Sequence, residues 1–155
     1  MKELNPEWTA AIRGHVNACP HFSLQSMVIE ELSLGMARVE IDVRQKHLQP
    51  FGMVHGGVFS TLIDSAGFWA YYTEVISGAG MTTVEMKLNY LAPALNGRLI
   101  GTGRTIKVGR TLGLADARIE DQRGRLLAYG TVTLMVLPDI KLYDQEEFPV
   151  KFVSE

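Results

Sequence analysis

The hydrophobic positions of the chain follow helical spacing in two segments. Residues 6–18 place Trp8, Ile12 and Val16 on one stripe, and Pro6 suits a first helical turn. This pattern predicts a short amphipathic helix at 6–18. Residues 56–73 are apolar on nearly every side of a helix, which is typical of a long helix buried against other elements.

Elsewhere hydrophobic and polar positions alternate, as expected for strands with one buried face. The alternation is clearest in residues 34–43, where alanine, valine and isoleucine fill the odd positions 37–43 and the even positions are mostly charged. Residues 27–31 are expected to form the hairpin partner of this strand. Four more strands are predicted, separated by turns rich in Gly, Pro, Asn and Asp: residues 84–91, 98–107, 111–120 and 125–137.

The predicted order of elements is helix, two strands, long helix and four strands. Because the turns between the last strands are too short to connect parallel neighbours, the sheet is expected to be antiparallel. The sequence therefore predicts an α+β fold with a curved antiparallel sheet around one long central helix. The 155 residues are expected to form a single domain, with a helix at 6–18, a core at about 25–137 and a C-terminal tail at 138–155.

Charge and composition exclude several classes of function. The formal net charge is −2 and the charges are interspersed, so neither nucleic-acid binding nor a polybasic membrane surface is expected. Asp64 interrupts the apolar segment, which argues against a membrane span. The single cysteine, Cys19, cannot form an intramolecular disulfide, and the N-terminus lacks the layout of a signal peptide. A cytoplasmic location is therefore expected.

One acidic side chain lies inside the long apolar helix. Asp64 is the only charged residue between Gly56 and Thr73. Burying an ionised carboxylate is costly unless the group is paired or used, which makes Asp64 a candidate for catalysis. The alternative is a structural acid bonded to the backbone or to a hydroxyl group on the same helix, such as that of Ser60.

The residues before this helix and on it form a specific pattern. The sequence reads Gln49-Pro50-x-Gly52-x-x-His55-Gly56-Gly57, with Asp64 nine residues after the histidine. Two further segments fit the same pattern: Asn89-Tyr90-Leu91-x-Pro93-Ala94 and Gly109-Arg110. Over about residues 25–137 the chain resembles the hotdog-fold acyl-CoA thioesterases, in the branch of the phenylacetic-acid-degradation and 4-hydroxybenzoyl-CoA thioesterases.

The start of the long helix is suited to binding an anion. His55-Gly56-Gly57 leaves backbone N–H groups unpaired at the positive end of the helix dipole, and Gly56 has no Cβ to block a ligand. Thioester hydrolysis builds negative charge on the carbonyl oxygen, and a preorganised donor typically lowers the barrier by about 3 kcal/mol. We therefore assign the Gly56 N–H to that oxygen. Two glycines can also merely permit a tight helix start.

The resemblance implies roles for further residues. Asp64 would act as a general base or as a nucleophile, and His55 would have a positioning role, although the sequence also allows a general base there. The amide of Gln49 would lie near the thioester or the attacking water. Thr83 would help to orient that water, although a shift of one residue selects Thr82 instead. The four histidines show no metal-ligand spacing, and neither a metal nor a cofactor is expected.

The spacing of Gly56 and Asp64 bears on the number of subunits. Eight residues correspond to roughly 12 Å along one helix, so one helix cannot bring both residues to the same carbonyl group. If both act on one thioester, Asp64 must come from a second subunit, and a two-fold dimer would have two shared sites. The resemblance implies that two such dimers form a tetramer.

The predicted activity is hydrolysis of an acyl-CoA or aryl-CoA thioester to the free acid and coenzyme A. Lys107 and Arg110, on either side of a hairpin turn, are candidates for binding the coenzyme A phosphates, and Arg123 is a weaker one. Two alternatives remain on the same fold. One is an enoyl-CoA hydratase or dehydratase, and the other is a regulatory module that binds acyl-CoA without turnover.

Overall fold

A computed structural model describes residues 2–143 and 147–154. Within these ranges the elements follow in this order: β1 (Glu3–Leu4), α1 (Pro6–Asn17), α2 (Pro20–Gln25), β2 (Met27–Ser33), β3 (Met36–Asp42), a 3₁₀ turn (Gln45–His47), α3 (Gly56–Tyr72), β4 (Gly80–Tyr90), β5 (Arg98–Lys107), β6 (Leu112–Asp121), β7 (Leu126–Leu137) and β8 (Phe152–Ser154).

Six of these strands form one sheet in the order β2-β3-β5-β6-β7-β4. Every neighbouring pair in it is antiparallel. The long helix α3 lies against one face of the sheet and contacts β3, β4, β5, β6 and β7. The predicted α+β hotdog fold, with an antiparallel sheet around one long helix, is confirmed.

The alternating pattern of β3 is confirmed by its burial. Ala37, Val39 and Ile41 are fully buried and face α3 and the core. Two charged side chains on the opposite face, Glu40 and Asp42, form ion pairs with Arg98 on β5 at 3.4 Å and 2.8 Å. The alternation therefore separates a dry face from a wet one, as the sequence predicts.

α3 approaches the sheet backbone to backbone. A Cβ at Gly103 would lie only 2.0 Å from the Ala66 carbonyl oxygen, so β5 tolerates only glycine where the helix crosses it. A Cβ at Gly67 on the helix would lie 2.9 Å from the Val132 side chain. No helix within the described residues is long and apolar enough to cross a membrane.

Two features differ from the sequence pattern. Residues 20–25 form a second helix, α2, because Pro20 stands at its first turn and starts a new helix as well as ending the previous one. β4 begins at Gly80 rather than near residue 84, since Gly80 and Met81 pair with the end of β7. The end of the glycine-rich stretch, which resembles a turn in the sequence, is thus held in the sheet by pairing with β7.

The C-terminal tail returns to the N-terminus. β8 pairs with β1, and the backbone N–H of Asn5 donates to the Lys151 carbonyl at 2.9 Å. The Lys151 side chain is 4% exposed and donates to the Tyr72 and Val75 carbonyls at the end of α3. Residues 144–146 and 155 of the predicted tail lie outside the described residues.

Candidate active site

The loop before α3 is fixed by backbone hydrogen bonds. The Gln49 N–H donates to the Met53 carbonyl at 2.8 Å, and the Val54 N–H donates to the Ala94 carbonyl at 2.8 Å. The His55 N–H donates to the His47 carbonyl at 2.8 Å. These bonds set the direction in which the chain enters α3.

His47 supports this loop and was not singled out from the sequence. It is 1% exposed, and its Nδ1 accepts the Arg44 N–H at 2.9 Å. Because Nδ1 accepts, Nε2 carries the proton and donates to the Gln25 carbonyl at 2.7 Å. A histidine in a loop carries no sequence signal for such a role, which depends on α2 lying nearby.

His55 caps the start of α3. Its backbone is extended, with φ −63° and ψ 137°, and its Nδ1 accepts the Gly57 N–H at 2.8 Å. The Val58 N–H donates to the His55 carbonyl at 2.9 Å. Two of the first three N–H groups of α3 are therefore satisfied by His55.

The remaining early N–H group is that of Gly56. Within the part of the chain that the structure describes, it donates to no protein acceptor. The ring of Tyr90 lies beside it, since a Cβ at Gly56 would be 3.2 Å from Tyr90 Cζ. Gly56 thus presents an available donor at the positive end of α3, with room for an oxygen rather than a side chain.

Asp64 is half-buried and accepts a hydrogen bond from a neighbouring strand. The Thr83 hydroxyl donates to Asp64 Oδ1 at 2.7 Å. Ser60, one of the same-helix alternatives, instead donates to the Gly57 carbonyl at 2.9 Å. Thr83 rather than Thr82 therefore contacts the carboxylate, at a point where a register shift follows in β4.

α3 and β4 run in opposite directions side by side. Thr83 near the start of β4 lies against Asp64, and Tyr90 at its end lies against Gly56. Because eight residues of helix span roughly 12 Å, the donor and the carboxylate of one chain lie at separate points of one stripe. Among the described strands, β4 is also an edge strand of the sheet and pairs only with β7.

Gln49 is engaged within its own loop. Its side-chain oxygen accepts the Phe51 N–H, and its carbonyl accepts the Gly52 N–H at 2.9 Å. Gly52 has a φ of +82°, which closes the turn in the left-handed region that glycine favours. The amide nitrogen of Gln49 has no partner among the residues that the structure describes.

The predicted phosphate-binding residues lie at different ends of the molecule. Lys107 and Arg110 flank the turn after β5, where Tyr71 near the end of α3 donates to the Gly109 carbonyl at 3.0 Å. They are exposed and lie far from Gly56 of the same chain. Arg123 lines a cavity of about 720 Å³ together with Met53 from the loop before α3.

The described residues include no group of three or more His, Cys, Asp or Glu side chains arranged to hold a metal ion. The chemical groups at the site are therefore a backbone donor, a carboxylate with a hydroxyl partner, an amide and a capping imidazole. This set fits reactions that build an oxyanion and need a base or a nucleophile.

Known proteins resemble this chain in sequence. The thioesterase superfamily model matches residues 51–128, which include Gly56, Asp64 and Thr83. Acyl-coenzyme A thioesterase 13 of Mus musculus is 34% identical over 114 residues, covering 68% of this chain and 80% of that protein. The 1,4-dihydroxy-2-naphthoyl-CoA hydrolase of Listeria monocytogenes is 28% identical over 108 residues, covering 70% of this chain and 88% of that protein.

A solved structure shares the fold. A phenylacetic-acid-degradation-related protein of Ralstonia eutropha superposes with a TM-score of 0.74 at 24% identity, covering 83% of this chain and 98% of that one. The predicted resemblance to the hotdog thioesterases is thus confirmed by sequence and by fold. The chain belongs to the thioesterase superfamily.

Proposed function

We propose that this protein hydrolyses an acyl-CoA or aryl-CoA thioester to the free acid and coenzyme A. The observation that carries the proposal is the Gly56 N–H at the start of α3, which has no acceptor in the described part of the chain while His55 accepts the N–H groups of Gly57 and Val58. The Mus musculus relative is named for acyl-coenzyme A and the Listeria monocytogenes relative for an aryl-CoA. Both substrate types therefore belong in the test.

In the proposed reaction the thioester carbonyl oxygen accepts the Gly56 N–H. Attack on the carbonyl carbon places negative charge on this oxygen, and the donor stabilises that charge by about 3 kcal/mol. Asp64 either takes a proton from the attacking water and passes it to the departing coenzyme A thiolate, or attacks the carbonyl itself. In the second case the C–S bond breaks, the coenzyme A thiolate leaves and takes up a proton, and water hydrolyses the resulting mixed anhydride to the free acid and the Asp64 carboxylate. The Thr83 hydroxyl holds the carboxylate through its hydrogen bond and lies next to the expected path of the water.

His55 and Gln49 have supporting roles in this proposal. His55 keeps the first turn of α3 in place, because its imidazole nitrogen accepts the Gly57 N–H. The Gln49 amide nitrogen is the donor that is directed to the thioester or the water, since its oxygen is already used by the loop.

We propose that each site is shared between two subunits. No described strand covers the outer edge of β4, and two copies can pair there in antiparallel fashion about a two-fold axis near the middle of the strand. Such pairing brings the Thr83 end of one β4 to the Tyr90 end of the other. Asp64 of one copy then approaches Gly56 of the other, which one chain cannot achieve by itself. Association of two such dimers into a tetramer is part of the same proposal.

In the proposed shared site, the predicted phosphate-binding residues lie near the start of the partner's α3. Lys107 and Arg110 lie near the end of α3, which a two-fold partner brings towards the start of the other α3. They are the proposed ligands of the coenzyme A phosphates, with Arg123 as an alternative on the first subunit. A cytoplasmic location and a single domain over 1–155 complete the proposal, the location resting on the single cysteine.

A thiol-release assay over a panel of acyl-CoA and aryl-CoA thioesters tests the activity. The panel should include an enoyl-CoA, whose hydration is followed separately by loss of the double bond. Release of free coenzyme A from at least one thioester is expected. Hydration without thiol release would favour a hydratase, and tight binding without either reaction would favour a binding module.

The variant Asp64→Asn tests the catalytic assignment. Asparagine keeps the size of the side chain and its contact with Thr83 but removes the base, so turnover is expected to fall at least about a hundredfold. Circular dichroism and a melting curve should match those of the unaltered protein. Unchanged hydrolysis would refute the role of Asp64.

A further inference from the structure

The ring of Tyr90 lies against the start of α3. A Cβ at Gly56 would lie 3.2 Å from Tyr90 Cζ and 3.3 Å from the hydroxyl oxygen. In a helix the Cα–Cβ bond points towards the N-terminal end, which is also the end towards which the first N–H groups point. The Tyr90 hydroxyl therefore lies at the same end of α3 as the free Gly56 donor.

The two donors are close enough to share one acceptor. Standard bond lengths place a Cβ about 2.5 Å from its own backbone nitrogen, so the hydroxyl oxygen lies no more than about 6 Å from the Gly56 nitrogen. An oxygen that accepts the Gly56 N–H sits about 2.9 Å from that nitrogen. Such an oxygen is within reach of the Tyr90 hydroxyl after a small side-chain rotation.

The surroundings hold the Tyr90 ring and leave its hydroxyl available. The ring packs beside Phe59, with 6.2 Å between ring centroids, and the next residue, Leu91, donates its N–H to the Leu127 carbonyl at 2.8 Å. Within the described residues the Tyr90 hydroxyl has no hydrogen-bond partner. Tyr129 on the neighbouring strand differs, because its hydroxyl donates to Asp116 at 2.9 Å.

We propose that the Tyr90 hydroxyl donates a second hydrogen bond to the thioester carbonyl oxygen bound at Gly56. This inference rests on the proposed thioesterase function and assigns one further residue to the same site. As negative charge develops on the oxygen, two preorganised donors stabilise it more than one does. Tyr90 is 57% exposed in the single chain, at the end of β4 that the proposed pairing brings to the shared site.

The variant Tyr90→Phe tests this assignment because it keeps the ring and removes only the hydroxyl. We expect kcat to fall by about ten- to a hundredfold while KM changes by less than about threefold, as for the loss of a bond that strengthens in the transition state. Tyr129→Phe is the matched control, since it removes a tyrosine hydroxyl on the adjacent strand. Its kcat is expected to equal that of the unaltered protein.

A second measurement separates catalysis from simple substrate contact. An S-alkyl coenzyme A thioether has no carbonyl oxygen next to the sulfur, so its Kd is expected to be the same for Tyr90→Phe and for the unaltered protein. The assignment is overturned if Tyr90→Phe keeps the full kcat. It is also overturned if the variant raises only KM and binds the thioether more weakly. If the unaltered protein releases no thiol from any thioester, the proposed function fails, and the role of Tyr90 fails with it.

Discussion

At the scale of single residues, the start of α3 divides its donors between the protein and a ligand. His55 accepts the N–H of Gly57 through Nδ1 and that of Val58 through its carbonyl, so both N–H groups already have an acceptor within the protein. Only the Gly56 N–H is left without an acceptor among the described residues. The sequence allows the His55 imidazole to be a general base, but in the structure it is oriented as a helix cap.

Two substitutions of His55 distinguish capping from proton transfer. His55→Ala removes the acceptor of the Gly57 N–H and is expected to lower the free energy of unfolding by about 1 kcal/mol, with a loss of activity. His55→Asn restores a side-chain acceptor without an imidazole, and activity is expected to stay within about tenfold of the unaltered protein. Denaturant unfolding and thiol release measure the two effects. An asparagine variant that is stable yet as inactive as Asp64→Asn would assign proton transfer to His55.

At the scale of elements, those with a strong period were predictable and those held by distant contacts were not. The alternation of β3 and the apolar length of α3 follow from which side chains face the core. A short stretch of sequence is therefore enough to predict that β3 is a strand and α3 is a helix. The pairing of β4 with β7 at the sheet edge depends on tertiary contacts and cannot be predicted from the sequence of either strand. In the same way, the contact of Asp64 with Thr83 rather than Thr82 depends on which face of β4 lies against α3.

The residues of the site also divide into those that a local motif predicts and those that distant contacts bring together. The motif from Gln49 to Asp64 identifies the helix start and the acid, because their spacing lies within one continuous segment. The contacts of Tyr90 with Gly56 and of Lys151 with the end of α3 join residues that are far apart in the chain. No local pattern carries such contacts.

The end of α3 is closed by a lysine from the tail. Lys151 Nζ donates to the Val75 carbonyl at 2.7 Å and lies 4.4 Å from the centroid of the Tyr72 ring. It also lies 5.1 Å from the centroid of the Trp8 ring and 5.3 Å from that of Phe152. Burial lowers the pKa of Lys151 from 10.5 to about 7, with a smaller contribution from Lys2.

This shift predicts a pH dependence of stability. Between pH 7 and about 10 the unfolded chain keeps the Lys151 proton and the folded protein loses it, so the free energy of unfolding should rise with pH. The slope from this group is at most about 1.4 kcal/mol per pH unit. Urea unfolding of the unaltered protein and of Lys151→Met from pH 6.5 to 9 measures it. The difference between the two should change across this range, and a constant difference would contradict the shift.

At the scale of the whole molecule, the proposed shared site can be tested by mixing two inactive variants. Gly56→Pro removes the N–H, and proline is tolerated at the first helical position after the extended backbone of His55. Asp64→Asn removes the acid. In a hybrid dimer of the two variants, one site has both native groups and the other has neither.

Random mixing after reversible dissociation is expected to restore about a quarter of the unaltered activity, because half of the dimers are hybrids with one working site. Gly56→Ala is the matched control, since it adds the same Cβ near Tyr90 but keeps the N–H. Light scattering verifies that the mixture is dimeric or larger. No recovery from a fully exchanged mixture would place the donor and the acid in the same chain.

The contact between Gly103 and Ala66 limits how this site can be redesigned. With 2.0 Å between a Cβ at Gly103 and the Ala66 carbonyl oxygen, no side chain separates α3 from β5 at this crossing that could be trimmed or enlarged to move the helix. The positions of Gly56 and Asp64 are therefore fixed relative to the sheet. Changes in substrate range would have to come from the rim near the helix start, where Phe51, Leu91 and Leu95 are exposed and have room to vary.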